Sequence, residues 1–167
     1  MIQVQVNGVK KNLKNYQYEV FLYDTRSARQ MSIWVDAYIA DILSATLQGK
    51  ARPLTAHDLV VHMIRAWGAR LVCVIIDELG DDSFRAYLIL ETADGTKRLV
   101  SRPSDAIIVA LRMRSPIYVE DALFNKYATP RPEDQKQLPP KKPPSEAEQN
   151  KLKPFYDAFK DEDLDPH

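Results

Sequence analysis

The sequence predicts an α+β domain: a mixed or antiparallel sheet made of two three-stranded units, with two helices between them and a third helix near the end. Three observations carry this reading. Strand-like segments come in two groups, and a stretch of helical periodicity lies between the groups. A 167-residue chain that is 45% hydrophobic also holds enough apolar material for one buried core plus an appendage.

Taken in order, Ile2, Val4 and Val6 alternate with Gln3, Gln5 and Asn7, the period-2 pattern of a strand with one wetted face. Tyr18 to Tyr23 and Met31 to Val35 are rich in β-branched and aromatic residues, and Asp24-Thr25-Arg26-Ser27 supplies turn chemistry between them. The period then changes. Ile39, Ile42, Leu43 and Thr46-Leu47 recur at helical spacing up to Gly49. A second helix follows, with Thr55 as cap and Asp58 as a short form of the capping box. Its apolar stripe is Leu59, Val60, Met63, Ile64 and Trp67, ending at Gly68. Leu71 to Ile76 is a continuous apolar run of strand length. Phe84, Ala86, Leu88 and Leu90 alternate with Arg85, Tyr87 and Glu91, and Gly80-Asp81-Asp82 joins the two as a hairpin. Asp94-Gly95 turns into a strand over Lys97 to Ser101. Pro103 and Ser104 start a helix through about Arg114, with Ser104 as its cap, and Pro116 to Val119 reads as a short final strand.

Residues 1–127 are therefore expected to form one domain. Residues 128–144 read as a linker, because Thr129 to Pro144 holds six of the eleven prolines. Pro140-Lys141-Lys142-Pro143 also fits a PxxP ligand, with a spacer the preferred reading. Residues 145–167 read as a short amphipathic helix and tail, with Ser145 and Glu148 as a capping box and Leu152, Phe155, Tyr156 and Phe159 as one stripe, bent at Pro154. Such a stripe has to dock, on its own domain, on a second copy or on another partner.

Charge and composition narrow the function classes. Residues 1–128 carry 16 Lys and Arg against 14 Asp and Glu, which leaves 7 against 9 for the rest. Nucleic-acid binding must then rest on a local cluster, not on the global field. Cys73, the single cysteine, excludes an internal disulfide or a multi-cysteine zinc site and reads as a packing residue. No stretch approaches a membrane span and the alternating start is not a signal block, so the cytoplasm is the expected location.

Two proline-led helix starts could carry chemistry. At Arg102-Pro103-Ser104-Asp105, free helix amides and a guanidinium could receive a phosphate, with Asp105 paired to Arg102 or bridged by a metal ion, and Arg112 lies two turns on. The same turn is explicable by capping and the helix dipole alone. At Arg52-Pro53-Leu54-Thr55-Ala56-His57-Asp58, the dipole disfavours a charged His57, which suits a neutral base or a metal ligand, or equally a solvated side chain. Asp58, His62 and Arg65 read as a charged solvent face, and Asp77-Glu78 with Asp81-Asp82 as acidic turns. No Gly-rich phosphate loop, His-Glu-x-x-His pair or nucleophile elbow is present.

Taken together, Arg52-Pro53-Leu54-Thr55-Ala56-His57-Asp58-Leu59, Phe84-Arg85-Ala86, Arg102-Pro103-Ser104-Asp105-Ala106-Ile107, Ala110-Leu111-Arg112 and Pro116-Ile117-Tyr118-Val119 resemble the bifunctional nuclease domain family from about Met1 to Leu123. The resemblance implies a commonly dimeric α+β domain that acts on RNA and DNA. By position it implies His57, Asp58 and Asp105 as catalytic candidates, and Arg52, Arg102, Ser104 and Arg112 as phosphate- or nucleic-acid-binding candidates. The implied chemistry is phosphodiester hydrolysis: His57 or Asp105 activates water, with or without a divalent metal ion, while Arg102 and Arg112 hold the phosphate. The chain departs from the family pattern at Ile39, where an acidic residue is usual, and at Asp82-Ser83, where Gly-Thr is usual. The competing readings are a non-catalytic binding or regulatory module for an anionic ligand or partner, and a purely structural oligomerisation domain.

Overall fold

A computed structural model describes residues 1–13, 16–50, 53–80 and 83–132. The expected linker beyond 132, the C-terminal amphipathic segment, Arg52 and the Asp81-Asp82 turn lie outside these residues. The described chain runs β1 (Ile2–Lys11), β2 (Tyr18–Asp24), β3 (Arg29–Val35), α1 (Ala37–Leu47), α2 (Ala56–Ala66), β4 (Arg70–Gly80), β5 (Ser83–Thr92), β6 (Gly95–Ser101), α3 (Pro103–Met113), β7 (Ile117–Val119), α4 (Asp121–Tyr127) and β8 (Thr129–Pro130). This is the α+β class expected.

The strands form one eight-stranded mixed sheet in the order β6-β5-β4-β7-β1-β2-β3-β8. The two three-stranded units are its two wings. β7, expected to be the last strand, is instead the seam: it runs antiparallel to β1 and parallel to β4. Its brevity hid that role, yet Ile117, Tyr118 and Val119 are all buried, as a strand covered on both faces requires. Two further elements follow it. α4 buries Leu123 and Phe124, and β8 pairs with Arg29 and Gln30 at the far edge.

β1 continues past Val6 to Lys11 because its pairing with β2 shifts register between Val6 and Val9. Gly8 sits in that bulge at φ 135, a backbone conformation that favours glycine.

The main core lies on one face of the sheet, where Val20, Leu22, Met31, Val74, Ile76 and Leu88 meet Ile39, Leu43, Ile64, Ile107 and Phe124 from the helices. α3 is the central helix, in contact with both α1 and α2. The opposite face carries a smaller cluster of Cys73, Ile75, Tyr87, Ile89 and Tyr118. Cys73 is fully buried there, and burial pushes its thiol up to about 12, so it packs and does not react. No described helix is long and apolar enough to cross a membrane.

One helix face differs from expectation. α2 turns His57, Val61 and Ile64 inward, while Leu59, Met63 and Trp67, expected within the core stripe, are exposed. Its polar ties to α3, described next, set that rotation.

Candidate functional site

The site is built where the first turns of α2 and α3 meet. Thr55 precedes α2 in extended conformation; its backbone N–H donates to Asp58 Oδ2 at 2.7 Å and its hydroxyl donates to the same oxygen at 3.0 Å, so the short capping box forms. Asp58 Oδ1 also lies 3.0 Å from Arg112 Nη1, which donates to Thr55 Oγ1 at 3.1 Å. Arg112 is reached from the far end of α3 and its side chain is largely buried. Thr55, Asp58 and Arg112 thus clamp the start of α2 against α3.

α3 begins differently from the sequence reading. Ser104 is not the cap: the helix starts at Pro103 and Arg102 holds the N-cap position, its carbonyl accepting from Ala106 N–H at 3.1 Å. Proline at the first helical position has a preset φ and no N–H to satisfy, which moves the cap one residue upstream. Ser104 and Asp105 consequently lie inside the first turn, and Asp105 turns its carboxylate toward α2.

There, Asp105 Oδ1 lies 2.9 Å from His57 Nε2, and Arg102 donates from Nε to Asp105 Oδ2 at 2.7 Å and from Nη2 to Oδ1 at 3.2 Å. The structure thus places His57, Asp58, Arg102, Asp105 and Arg112 in two adjoining clusters. His57 is 8% exposed, and its Nδ1 is buried with no hydrogen-bond partner among the described residues. Arg102, by contrast, is exposed. Burial raises the Asp105 pKa, but the hydrogen bonds from Arg102 and His57 and the charges of both outweigh it and hold the carboxyl below its ordinary range. The same pairing raises Arg102, with Asp36 adding to the effect.

Asp36 was not singled out from the sequence. It is the N-cap of α1 and accepts from Ile39 N–H at 2.8 Å through Oδ1. The available signal was an Asp directly before the first helical apolar residues. Ile39 itself is buried in the main core, so the first turn of α1 brings no carboxylate there beyond the capping Asp36.

A resident metal does not fit this arrangement. Among the described residues no group of three or more His, Cys, Asp or Glu could hold an ion, and the Asp105 carboxylate is turned to a guanidinium that would repel one.

A family model described as "Bifunctional nuclease domain" matches residues 20–132. Two proteins of Mycobacterium tuberculosis, from strains CDC 1551 / Oshkosh and ATCC 25618 / H37Rv, are each 35% identical over 126 residues, covering 74% of this chain and 74% of their own length. Both are described as uncharacterized proteins.

Proposed function

The chain belongs to the bifunctional nuclease domain family, and from that premise we propose that it hydrolyses phosphodiester bonds in RNA and DNA at the junction of α2 and α3. The observation that supports this reading best is the Asp105 carboxylate, shared between His57 and Arg102 from helix starts far apart in sequence.

In this reading Arg102 is exposed and its partner carboxylate is only partly covered, so an incoming phosphate competes for the guanidinium. As Arg102 turns to the phosphate, Asp105 loses the hydrogen bond that most depresses its pKa and becomes basic enough to take a proton from water. His57 Nε2 holds the carboxylate in place while the deprotonated water oxygen bonds to phosphorus and the phosphorus–sugar oxygen bond breaks, the leaving oxygen taking a proton from solvent; Arg102 stabilises the charge that develops on the phosphoryl oxygens. Asp58 and Arg112 act one step back by fixing the rotation of α2 that aims His57. Ser104, in the first turn of α3, and Arg52 are further phosphate contacts of the proposal. No step is assigned to a metal.

Purified protein is to be incubated with labelled single-stranded RNA and DNA, with and without chelator, beside Asp105→Ala and Arg102→Ala variants. Cleavage by the parent and its loss in both variants is the expected result. Equal cleavage in all samples would mark a contaminating nuclease and end the catalytic reading.

A second reading, a binding or regulatory module for an anionic ligand without chemistry, is favoured by the near-neutral charge of residues 1–128, 16 Lys and Arg against 14 Asp and Glu. It requires tight binding of the same oligonucleotides without cleavage by the parent.

We further place the protein in the cytoplasm as a homo-oligomer. The exposed stripe Leu59, Met63 and Trp67 on α2 supports an apolar docking face, taken either by a second copy or by the C-terminal amphipathic segment.

A further inference from the structure

Beside the α2–α3 junction, the sheet presents aromatic rings to solvent where soluble proteins usually bury them. Tyr16 is 72% exposed and Trp34 50% exposed. With Tyr18 and Asp36 they line a cleft of about 380 Å³. Three pieces of chain build it: the β1–β2 connection gives Tyr16, the start of β2 gives Tyr18, and the end of β3 gives Trp34. Tyr18 stands opposite Val35 on β3 and opposite Lys11 on β1, which fixes its position in the wing. Tyr16 adopts φ 58, a conformation unfavourable for an aromatic residue, and is held in it by a hydrogen bond from its N–H to Asn12 carbonyl at 2.9 Å.

A cation accompanies these rings. Lys11 Nζ lies 5.3 Å from the Tyr16 ring centre and 5.7 Å from that of Tyr18. Lys11 is exposed. A ligand that offers a flat π face and an anion together satisfies both features, and a nucleotide is that ligand. Asp36 links the cleft to the site electrostatically: it lines the cleft, and its charge acts on Arg102.

We propose that the cleft of Tyr16, Tyr18 and Trp34 is a stacking subsite for an unpaired nucleobase, with Lys11 holding a phosphate of the same strand. This rests on the nucleic-acid reading of the α2–α3 junction, and deepens it by naming single-stranded nucleic acid as the substrate class. Bases inside a duplex hide their π faces in the stack and cannot enter the cleft. Asp36 turns its carboxylate to the Ile39 N–H in capping α1.

The test uses the full chain carrying Trp67→Phe, which leaves Trp34 as the single tryptophan, together with Asp105→Asn to prevent cleavage. Oligothymidylate and a matched duplex are titrated at low salt while tryptophan fluorescence is followed. The proposal expects quenching by the single strand, little by the duplex, and affinity about 10-fold or more weaker with Tyr16→Ala. With Lys11→Gln, the loss of affinity on adding salt becomes shallower. Absence of quenching, equal response to duplex, or unchanged affinity in Tyr16→Ala would overturn the subsite. Tyr16 is an exposed connection residue, so its truncation removes no core packing, and thermal unfolding alongside checks the fold. The two readings separate cleanly. Quenching by a parent protein that cleaves nothing keeps the subsite and ends the catalytic reading, whereas cleavage without quenching does the reverse.

Discussion

At the scale of single residues, two carboxylates give opposite signs of pH dependence. Asp105 is held below the ordinary carboxylate range in the folded protein, so the unfolded chain takes up its proton first as pH falls. Its stabilising contribution is present above the unfolded carboxylate range of about pH 4 and is lost as pH falls through its folded value. Asp77 runs the other way. Burial, then the hydrogen bond and charge of Glu120 beside it, push it up to about 6, against the Glu78 backbone N–H and the Arg85 charge. The folded protein therefore protonates Asp77 first, and that contribution, complete below about pH 4, is lost as pH rises through about 6. An Asp77→Asn variant should accordingly be more stable than the parent at pH 7.5, by about 2 kcal/mol, and lose that advantage as pH falls to about 4. Urea unfolding at the two pH values checks this. The meeting of His57 and Asp105 was not legible in the sequence, because 48 residues separate them and spacing reports only neighbours on one element. The helix starts that carry them were legible, since proline, Thr and Asp leave local marks.

At the scale of elements, α2 shows how far periodicity reaches. Its existence, cap and end follow from Thr55, Asp58 and Gly68. Its buried face did not, because Leu59, Met63 and Trp67 make as good an apolar stripe as Val61 and Ile64 do. Contacts to α3 decided between the two: Asp58 to Arg112 and His57 to Asp105. Removing Asp58 takes away the helix cap and the carboxylate beside a largely buried guanidinium, so Asp58→Ala should cost about 3 kcal/mol in denaturant unfolding. A loss below about 1 kcal/mol would mean that the clamp does not set the rotation of α2. α4 escaped the sequence reading because its seven residues are too few to show helical period, although Leu123 and Phe124 both reach the core.

At the scale of the whole molecule, the two wings are local hairpin products that alternation reveals, while β7 joins them through pairings more than 40 residues apart in sequence. Among the described residues, that seam places α1, α2 and α3 on one face and so brings the starts of α2 and α3 together. The α2 stripe gives a prediction for assembly: replacing Leu59 and Trp67 with Ser should lower the mass measured by light scattering toward one chain if this face joins two copies. An unchanged oligomer would move the contact elsewhere, and an unchanged monomer would leave the stripe to the C-terminal segment. The claim on which the rest depends is that Asp105 accepts the proton. Single-turnover cleavage of one labelled single-stranded oligonucleotide by the parent and by Asp105→Asn, each confirmed folded by its unfolding curve, tests it most directly. The account predicts a rate at least about 100-fold slower in the variant. Equal rates in the two would contradict it.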